Sequence, residues 1–146
     1  MAAYNKFNNF VEDLCDGFHH FKAAGDQYNV YLSNATPSAT ADEVKADLAE
    51  ISTGNGYVAD GADVANDASR TTTTVTVVGT KVVWTATGGT IGPFQYVVLM
   101  NVTATTPLKP LVAWWDYGTA LTLQSAETFS VKFNGSETGG TIFTLT

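Results

Sequence analysis

The first part of the chain has the apolar spacing of an amphipathic helix. From Tyr4 onward, large apolar residues recur every three or four positions, at Phe7, Phe10, Val11, Leu14, Phe18 and Phe21. A helix gathers this spacing on one face and places on the other side Glu12, Asp13, Asp16 and His20. The pattern predicts a helix over 4–22, with Gly25 as the stop signal just beyond it.

Shorter elements are predicted between this helix and residue 71. Residues 28–32 alternate in the period of a half-buried strand. Thr40 and Glu43 have the spacing of a capping box, in which a hydroxyl and a carboxylate bind free backbone amides at a helix start. We therefore predict a short second helix over 42–50. The following segment, 54–63, is dense in Gly, Asn and Asp and is expected to be a loop.

From Thr71 onward the chain becomes rich in Thr and Val, with apolar and polar residues alternating. Strands are predicted over 72–78, 81–87, 94–102, 111–117, 120–124, 128–133 and 140–145. Turn signals separate them, among them Gly118-Thr119 and Asn134-Gly135. We therefore predict a mainly β fold, an antiparallel β-sandwich or barrel-like sheet of about seven to eight strands. The helix is expected to cover one open face of a single domain over 1–146, whose sheet core spans 71–146.

Composition and charge narrow the classes of function. Apolar residues make up 45% of the chain and charged residues 14%, so much of the surface must be Thr, Ser, Asn, Gly and Ala. Such a surface loses little on desolvation, which favours packing against other protein. The net charge of −7 and the scattered Lys and Arg argue against binding to nucleic acid or an anionic bilayer. Cys15 is the single cysteine, and the N-terminal residues do not have the pattern of a signal peptide.

Three groups of residues could in principle carry chemistry. Cys15 and His19 are four apart, which on a helix makes a thiol and an imidazole neighbours. His19 and His20 with Asp16 could hold a transition metal, and a calcium ion could be held by Asp60, Asp63 and Asp67. Each group lacks further residues that the chemistry requires, such as an oxyanion hole or EF-hand spacing. We therefore expect no enzyme activity, no cofactor and no bound metal.

Two features suggest contact with other proteins. Trp114, Trp115 and Tyr117 are clustered at a predicted strand end, where alternation places the two tryptophans on opposite faces. A sheet with one wet face would expose one of them as an interface anchor, unless the N-terminal helix covers it. The second feature is the final segment, 140–146, which reads as a strand and could offer its edge to a neighbouring subunit.

Several motifs together resemble a family of small proteins encoded by tailed double-stranded DNA phages. The motifs cover nearly the whole chain: YNKF at 4–7, FVEDL at 10–14, GNGY at 54–57, GGTIGPF at 88–94 and WWDYG at 114–118. The resemblance implies a virion structural protein, and more narrowly a head decoration or cement protein. It supplies no catalytic residues, and it does not extend to His19-His20 or to 60–67. The implied partners are the major capsid protein or other virion proteins, with candidate interface residues Trp114, Trp115, Tyr117, Phe94 and Tyr96.

The predicted function is therefore a capsid decoration protein that binds and stabilises the assembled head. We expect it to be made in the host bacterial cytoplasm, to reside in the virion and to form a homo-oligomer on the particle. One alternative is a tail, neck or fibre component. Another is a surface carbohydrate-binding β-sandwich, in which exposed Trp and Tyr stack on sugar rings.

Overall fold

A computed structural model describes residues 2–146, and these form antiparallel strands with little helix. The short helix is α1 (Asn9–Cys15), and two 3-10 turns lie at Lys45–Asp47 and Phe133–Gly135. The strands are β1 (Asn5–Lys6), β2 (Tyr28–Ser33), β3 (Ala62–Asp63), β4 (Asp67–Thr71), β5 (Thr74–Gly79), β6 (Val82–Thr85), β7 (Ile91–Asn101), β8 (Leu111–Leu123), β9 (Thr128–Val131) and β10 (Gly140–Leu145).

The strands form three antiparallel sheets that pack as a sandwich. The largest has the order β1-β8-β7-β2-β3, and the others have the orders β10-β5-β4 and β6-β9. Residues of all three sheets meet in one core, which includes Val97 and Leu99 of β7, Val77 of β5 and Trp84 of β6. The predicted mainly β, antiparallel fold is confirmed, and of the two predicted architectures the sandwich is the correct one.

Both faces of the five-stranded sheet are covered, which explains the long apolar run in β7. Side chains of a strand alternate between its two faces. Val97 and Leu99 accordingly point into the main core, whereas Val98 and Met100 point into a second apolar cluster on the other face. That second cluster consists of Phe7, Tyr31, Leu48, Tyr96, Val98, Met100 and Leu111. The N-terminal segment and the turn near Leu48 therefore close the outer face of this sheet.

The predicted N-terminal helix over 4–22 is wrong in its bounds. It begins at Asn9 and ends at Cys15, because Gly17 takes a positive φ of 78° just beyond it. Gly17 N donates to Leu14 O, and Phe18 N donates to Asp13 O, which is the bonding of a Schellman helix end. The stop signal is thus Gly17, not Gly25. Phe7 lies outside the helix, next to β1, and Val11 on the predicted apolar face is 46% exposed.

The predicted second helix over 42–50 is reduced to the 3-10 turn Lys45–Asp47. The capping box at Thr40 and Glu43 does not form; instead the Asp47 carboxylate accepts from Glu43 N and Val44 N. Val44 bridges to Pro110, and Leu48 is buried in the second cluster. These contacts hold the segment at Val44 and Leu48, and a single 3-10 turn forms between them.

The sheet core also extends beyond the predicted 71–146. Strand β2, which was predicted, lies between β7 and the edge strand β3 of the largest sheet. Strands β1, β3 and β4 were not predicted, and β3 falls inside the predicted loop over 54–63. Strand β4 is an exposed edge strand in which Ala68 is the one buried residue, so it lacks an apolar alternation.

No helix within residues 2–146 is long and apolar enough to cross a membrane.

Candidate functional site

The two most specific motifs of the sequence lie on paired strands: GGTIGPF leads into β7, and WWDYG lies within β8. Strand β8 was predicted as two strands separated by Gly118-Thr119, but it is one strand interrupted by a wide bulge. Asp116 pairs with Tyr96 and Leu121 pairs with Phe94, so one residue of β7 lies opposite four residues of β8. Bulges of this kind bend a strand and change the direction of its side chains.

The bulge is fixed by hydrogen bonds to one carboxylate. Asp116 Oδ1 accepts from Gly118 N at 2.7 Å and from Gln95 Nε2 at 2.9 Å. Gly118 has a positive φ of 96°, a conformation that glycine adopts without steric cost. The WWDYG segment therefore holds Tyr117 out from the sheet, and its side chain is 55% exposed.

Beside this bulge is an open cleft of about 640 Å³ between the five-stranded sheet and the β9–β10 region. We call it the aromatic cleft, because five of its lining residues are Tyr, Trp or Phe. It is lined by Ala2, Tyr4, Val97, Trp115, Tyr117, Phe129, Ser130, Val131, Lys132, Phe133, Asn134, Gly135, Thr141 and Ile142.

The aromatic side chains of the cleft support one another. The Trp115 ring packs edge-on against Tyr4 at 5.8 Å and against Phe133 at 5.6 Å. The Tyr117 ring packs edge-on against Phe129, also at 5.8 Å. Edge-to-face pairs at these distances add to the stability that apolar burial provides. The cleft surface is therefore largely preformed.

The aromatic cleft is almost free of charge. Among the described residues that line it, the one cation is Lys132, whose ammonium is paired with the Glu137 carboxylate. Hydrogen bonds from Lys132 and Lys81 hold the pKa of Glu137 below its usual value, which keeps it ionised and paired. Burial raises the pKa of Tyr4 to about 12, so this phenol is neutral at physiological pH. A neutral apolar surface favours an uncharged partner over a phosphate or a basic segment.

The structure separates the five predicted interface residues. Tyr117 is exposed, and Trp115 is half-buried in the cleft. Trp114 is half-buried on the opposite face, where it packs on Phe7 at 4.6 Å. Phe94 and Tyr96 are 0% and 8% exposed, so, unlike the predicted interface anchors, Phe94 offers no surface to a partner and Tyr96 offers very little.

Both tryptophans are partly covered within the chain, but by the segment around β1 and not by the helix. Tyr4 covers Trp115 and Phe7 covers Trp114. The sequence reasoning missed Tyr4, Phe129 and Phe133 as cleft residues. The alternation of Phe129, Val131 and Phe133 did indicate that they share one face of a strand. It could not show that this face is left partly open.

The other candidate groups are not assembled. Cys15 is exposed and His19 is buried, and the imidazole is bonded to other residues, so the two form no dyad. Asp60 is paired with Lys109 at 2.7 Å, and Asp67 accepts from the amides of Ala23 and Ala68. In residues 2–146, no three His, Cys, Asp or Glu side chains are grouped to hold a metal ion.

His19 lies in a buried polar cluster behind α1. Tyr28 Oη lies 3.3 Å from His19 Nδ1 and can donate to it, with the imidazole proton then on Nε2. Asn101 Nδ2 lies 3.4 Å from His19 Nδ1, but it already donates to Phe18 O and Asp26 Oδ2. Nε2 has no hydrogen-bond partner, and the Asp13 carboxylate oxygen is 4.0 Å away, too far for a hydrogen bond. Asp26, the other carboxylate of the cluster, accepts from Asn101 at 2.8 Å. Burial lowers the pKa of His19 to about 4.

This cluster predicts a loss of stability in mild acid. The unfolded chain protonates His19 near pH 6.5, whereas the folded chain does so only near pH 4. The free energy of unfolding should therefore fall between pH 6.5 and 4, by up to ~3 kcal/mol. Asp13, whose pKa is raised by burial, offsets part of this loss because its folded form binds a proton more readily.

The measurement is urea unfolding at pH 7 and pH 4.5 for the native chain and His19→Gln. The variant should lose less stability over this interval than the native chain does. An identical pH dependence in His19→Gln and the native chain would contradict the assignment.

No protein-family model, no curated protein and no solved structure matches the chain.

Proposed function

We propose that this chain is a structural protein of a tailed-phage virion, and that it acts as a capsid decoration protein bound to the assembled head through the aromatic cleft. The resemblance to small phage proteins depends most on WWDYG and GGTIGPF. WWDYG supplies the cleft residues Trp115 and Tyr117, and Phe94 of GGTIGPF packs beneath Phe129 of the cleft. In this proposal the shared motifs shape a contact surface for protein.

The observation that carries the proposal is the cleft itself. An open, apolar surface with five aromatic side chains and one already paired cation is unusual on a chain whose net charge is −7. Exposed aromatic side chains are typical anchors of protein interfaces, because they bury a large apolar area with little loss of conformational entropy. A contact of this kind would join the protein to the major capsid protein or to another protein of the particle.

The mechanism would be repeated attachment. Each copy would contact neighbouring shell subunits, and copies arranged as an oligomer on the particle would have to release several contacts together. Linked contacts of this type bind far more tightly than each contact alone. The decorated shell would then resist the outward pressure of packaged DNA.

The test is to produce phage particles without this protein and to compare them with native particles. We expect the mutant heads to lack a surface layer in electron microscopy and to release their DNA at a lower temperature. Unchanged protein composition together with unchanged heat resistance would overturn the proposal. If the missing density were a ring or filament in the tail, the decoration role would be wrong and a tail, neck or fibre role would replace it.

A further inference from the structure

Three strands have free edges around the aromatic cleft. Within residues 2–146, β1 pairs with β8 at Ala113 and Trp114 alone, so the outer edge of β8 has no neighbouring strand in that range beyond this point. In the same part of the chain, β9 pairs only with β6, and β10 pairs only with β5. All three strands contribute residues to the cleft. The cleft is thus a gap in the sandwich, bordered by backbone that is able to pair.

The hydrogen-bond pattern shows which backbone groups of β9 are free. Ala86 N donates to Glu127 O at 2.9 Å, in register with the β6–β9 ladder. Bonded and non-bonded pairs alternate along an antiparallel ladder, so the pair of Val83 and Ser130 is non-bonded. The N–H and C=O of Ser130 therefore point away from β6, toward the edge that has no neighbouring strand.

The lining of the cleft agrees with this orientation. Every residue over 129–135 lines the cleft. Side chains of a strand alternate between two faces, so consecutive residues can line one cavity only if the backbone edge faces it. The cleft therefore offers a partner two complementary surfaces: the polar backbone of β9 and the aromatic side chains of Trp115, Tyr117 and Phe129.

We propose that the aromatic cleft binds an extended segment of a neighbouring virion protein by β-strand addition along β9. The segment would pair with the free groups of β9 through its own backbone and direct apolar side chains, at alternate positions, onto the aromatic rings. The four residues of β9 set a paired length of about 13 Å. That the segment comes from a virion protein rests on the proposed function. The chemistry expected of the segment does not, because it follows from the cleft alone.

Because the aromatic cleft has no unpaired charge among its described residues, it favours a segment with uncharged side chains. A carboxylate or an ammonium entering the cleft would be desolvated, while the one cation of the lining, Lys132, already has Glu137 as its partner. The side chains that enter the cleft should therefore be Val, Leu, Ile or Thr and not charged ones.

A second copy of this chain is a poorer donor. Among residues 2–146, the segments with alternating apolar residues already have strand neighbours. The stretches left outside sheets, such as 34–43 and 103–109, are polar or turn-rich. The N-terminal residues Ala2 and Tyr4 already line the cleft of their own chain. The segment should therefore come from another protein.

The experiment titrates the full-length, isotope-labelled chain with the capped peptide KTVTVTVK and follows amide signals by NMR. We expect signal shifts confined to the cleft residues, and hydrogen exchange at the Ser130 amide slowed at least tenfold. The matched control is the peptide KTTTVVVK, which has the same composition without the alternation and should bind at least tenfold more weakly. Equal binding of both peptides, or shifts spread over the surface, would overturn strand addition.

A second arm uses the variant Ser130→Pro, which removes the free N–H of β9 but no hydrogen bond to β6. Proline is tolerated on an edge strand, and binding of KTVTVTVK should weaken at least tenfold. If this variant does not fold, the exchange measurement on the native chain still decides. Concentration-dependent dimerisation of the native chain that protects Ser130, without peptide binding, would assign the edge to a second copy and overturn the proposal.

The two proposals fail separately. If the peptides do not bind but particles lacking the protein lose their surface layer, strand addition is wrong and the decoration role stands. If KTVTVTVK binds as described but the particles are unchanged, the decoration role is wrong and the strand-binding cleft stands.

Discussion

Phe94→Ala is expected to lower the free energy of unfolding by about 4 kcal/mol, the largest effect on stability that we predict for a single truncation. The Phe94 side chain is completely buried and packs edge-on against Phe129 at 4.9 Å. Its removal leaves a cavity at the point where the GGTIGPF motif supports the wall of the aromatic cleft. Urea unfolding monitored by circular dichroism measures this difference.

The matched control is Tyr117→Ala, a truncation of similar size in the neighbouring motif. Tyr117 is 55% exposed, so its removal should change the free energy of unfolding by less than about 1 kcal/mol. A small loss of stability in Phe94→Ala, close to that of Tyr117→Ala, would contradict the assignment of Phe94 to the core. Comparing the two variants also distinguishes the roles of the two motifs: a residue of GGTIGPF stabilises the core, whereas a residue of WWDYG forms part of the exposed surface.

The strands were largely predictable from the sequence because alternation and turn residues are local signals. The bounds predicted for the last strand, 140–145, are those of β10, and the predicted strands at 128–133 and 81–87 contain β9 and β6. The break predicted at Gly118 is a bulge within one strand. The local signal was correct there, but the pairing with β7 that holds both halves together is a long-range contact.

The N-terminal helix shows where local periodicity is insufficient. Phe7, Phe10 and Phe21 do face apolar cores, as the spacing indicated. They belong to two different clusters, however, and only Phe10 lies in the helix. Any backbone conformation that buries the same residues is compatible with this apolar spacing, so the spacing alone does not specify a helix. Gly17 was the informative residue, because a left-handed conformation there ends the helix.

The candidate site was predictable only in part. Alternation correctly placed Trp114 and Trp115 on opposite faces, but it could not show that Phe7 and Tyr4 cover them. It also could not show that Phe94 and Tyr96 are buried, since both faces of β7 are covered by distant segments. Whether an edge of β9 is free depends on the order of the strands in the three sheets, and local sequence patterns do not predict that order.

Among the substitutions considered, Tyr117→Glu is expected to weaken binding of the chain to its proposed partner on the phage particle the most. This substitution places a carboxylate at the exposed rim of a neutral apolar cleft, where a bound partner would desolvate it without a counter-charge. A residue that anchors an interface contributes 2 kcal/mol or more, and the added charge brings the expected loss of affinity to about a hundredfold. Val58→Glu is the matched control, because Val58 is 62% exposed and lies outside the cleft.

The most direct test of the cleft as the docking surface is to add purified protein back to phage particles that lack it and to measure bound protein by co-sedimentation. The native chain and Val58→Glu should bind with equal affinity, whereas Tyr117→Glu should bind about a hundredfold more weakly while remaining folded. Binding of Tyr117→Glu as tight as that of the native chain would show that the aromatic cleft is not the docking surface.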